Sequence, residues 1–307
     1  MKTHLITFFA VVCGMQFSAR ASDAPRGPRR GGPPPNHDAE ALKPNQPDAP
    51  AGFDIARAGI ARGKVTGFEY ESKTGGGTFR ATLYTPPDLS AAKKYPVLYL
   101  LHGASGDETN WVQAIHADAI LDNLYADQKL MPMLVVMPSS LSAAAREQAG
   151  DSRDAKARAS MAFRDVLLRD LIPFVESKYP ALTGREHRAL AGLSMGAGLA
   201  FSTGLMNPDK FAWVGAFSGG STRRLADSAR LNLTSPGRQL RLLWLSVGDR
   251  DSLMGSSVAD ADAFLTQKKI PHVFRVNAGG HEPRVWMNDL YHFAPLLFRG
   301  AKDAGVQ

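Results

Sequence analysis

The sequence predicts an α/β fold with a mostly parallel central sheet and helices on both faces. Beyond residue 90, short apolar runs alternate with stretches whose apolar residues recur at helical spacing. The apolar runs are continuous, which is typical of strands that are covered on both sides. No second linker or internal repeat interrupts residues 56–307, so we expect one domain there.

An antiparallel hairpin is predicted at the start of this domain. Residues 65–72 and 78–85 alternate apolar and polar side chains around a glycine-rich turn at 74–77. Pro86 and Pro87 follow and end the second strand.

Buried strands and amphipathic helices then follow in turn. The strands are predicted at residues 97–101, 134–137, 187–191, 212–217, 240–247 and 272–276. Helical spacing of apolar side chains covers residues 115–124, 163–175 and 257–268.

The N-terminus has the pattern of an export signal. An apolar stretch runs from Leu5 to Phe17, and small residues before Ala21 suit signal peptidase. We therefore expect residues 1–21 to be a signal peptide, and the protein to be periplasmic or secreted. The apolar stretch is too short for stable membrane insertion. Cys13 leaves a lipid anchor open, although Val12 is not the small residue expected before a lipidated cysteine.

Residues 22–55 are predicted to form a disordered linker. Eight prolines lie between Pro25 and Pro50, and few apolar residues separate them. Such a segment can serve as a passive tether or as a ligand for a proline-recognition module. Residues 56–307 form the predicted catalytic domain.

Charge and cysteine content exclude several functional classes. The net charge is +7, but no run of basic residues exceeds two, so we expect no nucleic-acid partner. The single cysteine excludes an internal disulfide framework and a cysteine-rich zinc site. The sequence leaves the oligomeric state open.

A nucleophile motif follows the third of these buried strands. Gly192-Leu193-Ser194-Met195-Gly196 matches G-x-S-x-G between that strand and a run of small residues that can start a helix. This strand-turn-helix context raises the serine hydroxyl above the sheet. Ser194 is therefore the predicted nucleophile.

The base and the acid should follow the nucleophile along the chain. Of the histidines after Ser194, His281 alone lies in a glycine-led loop at a strand end, whereas His272 begins a strand and His292 lies within a helix. The loop after residues 240–247 offers Asp249 and Asp251 as the acid, and residue chemistry alone leaves both open.

Two backbone donors should stabilise the oxyanion. Met195 follows the nucleophile, and Ala104 lies in the loop after the strand at 97–101, where Gly103 allows a close turn. His102 has no partner at metal-ligand spacing, which favours a structural or pocket-edge role. No metal and no cofactor is expected.

These motifs together resemble the alpha/beta-hydrolase "Putative esterase" family, also called carbohydrate esterase family 1, which includes feruloyl esterase domains of the xylanase Z type and enterochelin esterases. The resemblance covers about residues 60–300. It rests on residues 95–103, 107–111, 170–176, 192–196, 209–212, 251–253 and 279–281.

The resemblance implies an alpha/beta-hydrolase fold and Asp251 as the triad acid. It further implies a serine esterase that hydrolyses carbohydrate-linked feruloyl or acetyl esters through an acyl-enzyme. The substrate would be a small-molecule or polysaccharide ester. Siderophore ester hydrolysis, acyl transfer on the same fold and a catalytically idle carbohydrate-binding protein are the alternatives.

The substrate pocket is the least defined part of the predicted site. The candidates for its edge are Trp111, Trp286, His102 and Gly103, and buried packing is an equal alternative for each tryptophan. The sequence departs from the family pattern at residues 196–198 and 282–284 and in an alanine- and charge-rich insertion at 139–160. Because the last two segments are expected to border the acyl pocket, the acyl group stays open.

Overall fold

Eight strands form one mixed sheet in the order β1-β2-β4-β3-β5-β6-β7-β8 in the computed structural model. The structure describes residues 42–104, 106–150, 152, 162–222 and 237–299, all of which belong to the compact unit Ala39–Gln307. The strands are β1 (Lys64–Ser72), β2 (Gly77–Thr85), β3 (Val97–Leu101), β4 (Leu134–Pro138), β5 (Arg188–Leu193), β6 (Trp213–Phe217), β7 (Leu242–Gly248) and β8 (Val273–Asn277).

The hairpin β1–β2 joins an otherwise parallel sheet. Strand β2 pairs antiparallel with both β1 and β4. All pairings from β4 through β3 to β8 are parallel. The carboxyl ends of β3 to β8 therefore lie along one edge of the sheet, where ligands bind in such folds.

Helices cover both faces of this sheet. They are α1 (Asn110–Gln113), α2 (Ala117–Ala126), α3 (Ala143–Ala149), α4 (Ile172–Lys178), α5 (Met195–Met206), α6 (Gly255–Gln267) and α7 (Pro283–Phe293). One buried cluster joins the sheet to side chains of α4, α5 and α6, and a second joins it to α1, α2 and α7. The predicted α/β fold, with its N-terminal hairpin, is confirmed.

A wide turn of π-helical type at Leu167–Leu171 directly precedes α4. There the N–H of Ile172 bonds to the carbonyl of Leu167, five residues back. Pro173 follows directly. Because proline lacks an N–H and crowds the preceding turn, it explains the wider turn.

Residues 42–57 pack against the domain instead of extending freely. The N–H groups of Asn45 and Gln46 bond to the carbonyl of Val276 at 2.9 and 3.0 Å. Ala49 and Phe53 are both 5% exposed. The linker prediction for 22–55 therefore differs from the structure over residues 42–55, because its few apolar and amide side chains find partners on β8 and α7.

Other predicted segments lie outside the described residues. They include the signal peptide at 1–21, linker residues 22–41 and most of the second half of the insertion at 139–160. Within the described ranges, no helix has the length and apolar character needed to cross a bilayer.

Candidate active site

Ser194 lies at the sharp turn between β5 and α5. Its φ of 52° and ψ of −117° form a strained backbone conformation that presents the side chain at the sheet edge. A Cβ on Gly192 would lie 2.7 Å from the backbone of Gly196, and a Cβ on Gly196 would overlap the carbonyl oxygen of His102. The flanking glycines therefore permit the turn.

His281 bridges Ser194 and Asp251. Its Nε2 lies 2.9 Å from the Ser194 hydroxyl, and its Nδ1 lies 2.8 Å from Asp251 Oδ2. An ionised carboxylate only accepts hydrogen bonds. Nδ1 therefore donates to Asp251, which leaves the lone pair of Nε2 to accept the proton of Ser194.

The surroundings of Asp251 favour its ionised form. The residue is 5% exposed, and this burial raises its pKa. Hydrogen bonds from His281 and from the backbone N–H of Met254 outweigh burial and hold the pKa below its usual range. Asp251 is thus equipped to orient the imidazole and to stabilise an imidazolium.

The structure separates the two candidate acids. Asp249 Oδ1 accepts a 2.7 Å hydrogen bond from the N–H of Gly279, while its Oδ2 lies 3.3 Å from the Arg250 guanidinium. Of these two carboxylates, only that of Asp251 contacts His281. Asp249 instead ties the loop after β7 to the loop that carries the histidine.

The loop after β3 lies directly against the nucleophile. A Cβ on Gly103 would be 3.5 Å from Ser194 Cβ. No hydrogen bond joins the N–H of Ala104 or of Met195 to another described residue. Neither N–H is therefore occupied by a described residue, and the oxyanion role of both stays a prediction.

Two predicted pocket residues face the protein interior. Trp111 is fully buried and packs edge-on against Phe217, with ring centroids 6.3 Å apart. His102 is 4% exposed, and both its ring nitrogens contact protein atoms. Of the two roles that the sequence leaves open for each of these residues, the contacts favour structural packing over pocket lining.

Trp286 and Gly103 lie close to the reacting groups. Trp286 is half-buried and its ring is edge-on to His281, with centroids 5.1 Å apart. Gly103 packs against Leu193 and Ser194. Both positions are compatible with a role at the pocket edge.

Sequence reasoning missed three polar residues around the site. Ser218 follows β6 and has a φ of 51°, Ser140 bonds to His102, and Arg146 bonds to Ser139 at 2.8 Å. Ser218 and Ser140 follow strand ends, a position that could have identified them. Arg146 carried no such signal.

The comparisons with known proteins agree with this geometry. The model of the family described as "Putative esterase" matches residues 72–303. An endo-1,4-beta-xylanase/feruloyl esterase of Xylanibacter ruminicola is 32% identical over 174 residues, or 55% of this chain. The chain spans only 23% of the length of that relative.

Solved structures share the fold. The CE1 ferulic acid esterase of the fungus Anaeromyces mucronatus has a TM-score of 0.73 at 24% identity, over 85% of this chain and all of the other. Its complex with ferulic acid has a TM-score of 0.70 at 25% identity, over 83% and 97% of the two chains. The enterobactin esterase of Shigella flexneri has a TM-score of 0.60 at 21% identity, over 80% and 60%.

Proposed function

Because the chain belongs to this esterase family, we propose that the protein is a serine hydrolase of carboxylic esters. The observation that carries the proposal is the chain of contacts from Ser194 through His281 to Asp251, at 2.9 and 2.8 Å. Both distances are within the range required for proton transfer.

In the proposed reaction, His281 Nε2 takes the hydroxyl proton as Ser194 Oγ attacks the ester carbonyl. The carbonyl oxygen becomes an oxyanion that accepts hydrogen bonds from the N–H groups of Ala104 and Met195. His281 then returns the proton to the departing alcohol, which leaves an acyl-enzyme on Ser194.

A water molecule completes the cycle. His281 removes a proton from the water as its oxygen attacks the acyl carbon. The bond to Ser194 Oγ then breaks and His281 returns the proton to that oxygen, so the acid is released and the enzyme is restored. Asp251 stays ionised and stabilises each imidazolium.

We assign the substrate as an aromatic or short acyl group esterified to a carbohydrate. The names of the relatives support the feruloyl group. A cavity of about 450 Å³ supports the carbohydrate, since its lining includes side chains of both charge signs, Arg80, Glu108, Arg146 and Glu147. Such groups match the donors and acceptors of sugar hydroxyls.

The location of this cavity suits the alcohol part of an ester. Its residue Ser139 follows β4, and β3 lies between β4 and the nucleophile strand β5. Because β4, β3 and β5 run parallel, the cavity opens at the same edge of the sheet that carries Ser194.

The activity test uses methyl ferulate and p-nitrophenyl acetate as substrates. Ser194→Ala should lower kcat by at least about 10⁴-fold. Ser202→Ala is the matched control, because Ser202 lies on α5 and its hydroxyl bonds back to Gly198. A Ser194→Ala enzyme with unchanged turnover would refute the proposal.

The substrate test compares methyl ferulate with a feruloylated arabinoxylan oligosaccharide. We expect a lower KM for the oligosaccharide, and Glu147→Gln should raise that KM several-fold without changing the KM for methyl ferulate. Equal effects on both substrates would contradict the carbohydrate assignment but leave the esterase assignment in place.

We also propose export through residues 1–21. Mass spectrometry of the native protein should find Ser22 as its first residue. A native protein that begins at Met1 would contradict this part of the proposal.

A further inference from the structure

The proposed reaction leaves one buried histidine without a role. His102 is 4% exposed and follows β3, one residue before Gly103. It contacts neither Ser194 nor Asp251 among its hydrogen-bond partners. Its partners are backbone and hydroxyl groups of the loops after β3 and β4.

These partners determine the protonation of the His102 ring. Nδ1 lies 2.6 Å from the carbonyl oxygen of Gly103, which can only accept a hydrogen bond. Nε2 lies 3.1 Å from the backbone N of Ser140, which can only donate. The ring must therefore be neutral, with its proton on Nδ1 and a lone pair on Nε2.

The bond from His102 also fixes the direction of the next N–H. The described chain has no cis peptide bond, so the Gly103 carbonyl and the Ala104 N–H point to opposite sides of one rigid plane. A hydrogen bond that fixes the direction of the Gly103 carbonyl therefore also fixes the direction of the Ala104 N–H. The N–H of Gly106 adds a second bond to the same oxygen at 3.2 Å.

We propose that His102 is a positioning residue, which in its neutral form orients the Gly103–Ala104 peptide so that the Ala104 N–H faces the oxyanion. This inference rests on the proposed esterase function. His102 acts through the peptide and does not touch the substrate.

The surroundings of His102 keep the ring neutral. Burial lowers its pKa, and the Arg146 guanidinium from α3 lowers it further, against the opposing effects of the Gly103 carbonyl and of Asp107. A proton on Nε2 would remove the acceptor for Ser140 N. We therefore expect the hydrogen bonds that orient the peptide to weaken, and kcat to fall, only at acidic pH.

Two amide substitutions separate the two ends of the ring. In His102→Asn the amide N–H can replace Nδ1 and donate to Gly103. In His102→Gln the amide oxygen can replace Nε2 and accept from Ser140 N, but the bond to Gly103 is lost. The experiment measures kcat, KM and thermal midpoint for each variant with methyl ferulate between pH 5 and 9.

We expect His102→Gln to lower kcat by about 10²-fold, the typical effect of one lost oxyanion donor, with KM changed less than about threefold. His102→Asn should keep kcat within about tenfold of wild type and lose the acid-dependent weakening caused by His102. Labelling of Ser194 by a fluorophosphonate should slow in parallel with kcat. A merely structural role would lower the thermal midpoint and leave this order of kcat values unexplained.

Equal kcat for both variants, or a wild-type kcat for His102→Gln, would overturn the inference. If the variants do not fold, 15N NMR of the wild-type histidine rings serves instead, because the inference requires the proton of His102 on Nδ1; a His102 ring with its proton on Nε2 at neutral pH would then overturn the inference. Failure of the function itself is distinguishable, since the wild type would then hydrolyse no ester.

Discussion

The two sides of the active site hold their histidines with opposite kinds of partner. On the base side, His281 lies between the Ser194 hydroxyl and the Asp251 carboxylate. On the oxyanion side, His102 lies between a carbonyl and an N–H of the backbone, near the Arg146 cation. A carboxylate prepares a ring to take up a proton, whereas burial beside a cation prevents this.

The supports of the two sides differ as well. Behind the base side, Asn277 Nδ2 bonds to the fully buried Asp289, and Asn288 Nδ2 bonds to Asn277. Asn288 in turn accepts a bond from the N–H of Ala49. The oxyanion side relies on Arg146, which lies 3.5 Å from Asp107 and 3.7 Å from Glu108. The base side is therefore supported by buried hydrogen bonds, and the oxyanion side is supported by partly exposed ion pairs at the surface.

The largest effect is expected when the carboxylate is removed from the base side. Asp251→Asn should lower kcat by about 10³- to 10⁴-fold, since an amide cannot hold the required tautomer of His281. Kinetics with methyl ferulate give the measurement. Asp249→Asn is the matched control and should stay within about tenfold of wild type, because its amide oxygen can still accept from Gly279. A larger loss of kcat for Asp249→Asn than for Asp251→Asn would assign the role of the triad acid to Asp249 instead.

The buried Asp289 behind the base side should make the stability of the protein depend on pH. Burial raises the pKa of Asp289 from 3.8 to about 7, so the folded protein binds this proton more tightly than the unfolded chain. The free energy of unfolding should therefore fall as pH rises from about 4 to about 7, by up to about 4 kcal/mol. Asp289→Asn should reduce this fall in urea unfolding at pH 5 and pH 8. Equal falls in both proteins would contradict the prediction.

The docked segment at residues 42–57 should matter for stability and little for catalysis. Phe53 is 5% exposed and packs edge-on against Tyr291, with ring centroids 5.3 Å apart. Phe53→Ala should lower the free energy of unfolding by about 3 kcal/mol while kcat stays within about twofold. Ile55→Ala is the control, since Ile55 is 65% exposed and should change stability by less than about 0.5 kcal/mol. A similar loss in both variants would mean that this segment is not anchored through Phe53.

The smallest effect is expected at Arg146, whose ion pairs support the oxyanion side at the surface. Arg146→Met removes half-exposed ion pairs worth about 1 kcal/mol and should lower kcat for methyl ferulate about fivefold. Because Arg146 lowers the pKa of His102, its loss should move the acid-dependent fall in kcat to higher pH. Arg80→Met, which breaks an exposed pair with Glu69, should leave the profile unchanged. An unmoved profile for Arg146→Met would separate this residue from His102.

The sequence predicted the sheet well because its buried strands are short, continuous apolar runs. The run at 97–101 matches β3, and the motif at 192–196 matches the turn between β5 and α5. These signals are local, since burial on both faces and a tight turn each restrict neighbouring residues directly.

Other features depended on partners far along the chain. The choice between Asp249 and Asp251 required the position of His281, and the burial of Trp111 required the position of Phe217. Ala49 is 239 residues from its partner Asn288. Composition alone could not show that residues 42–55 dock, because their few anchoring side chains are diluted by prolines.

The docked segment also affects how the protein behaves at high concentration. Strand β8 ends the sheet, and an outermost strand with free backbone groups can recruit strands from other molecules. Here Asn45 and Gln46 bond to the carbonyl of Val276, and the Asn45 side chain accepts from its N–H at 2.8 Å. Residues that resemble a spacer thus occupy the outward-facing backbone groups of Val276 on this edge, and a shortened chain that begins at residue 56 would leave these groups free to pair with a strand of another molecule.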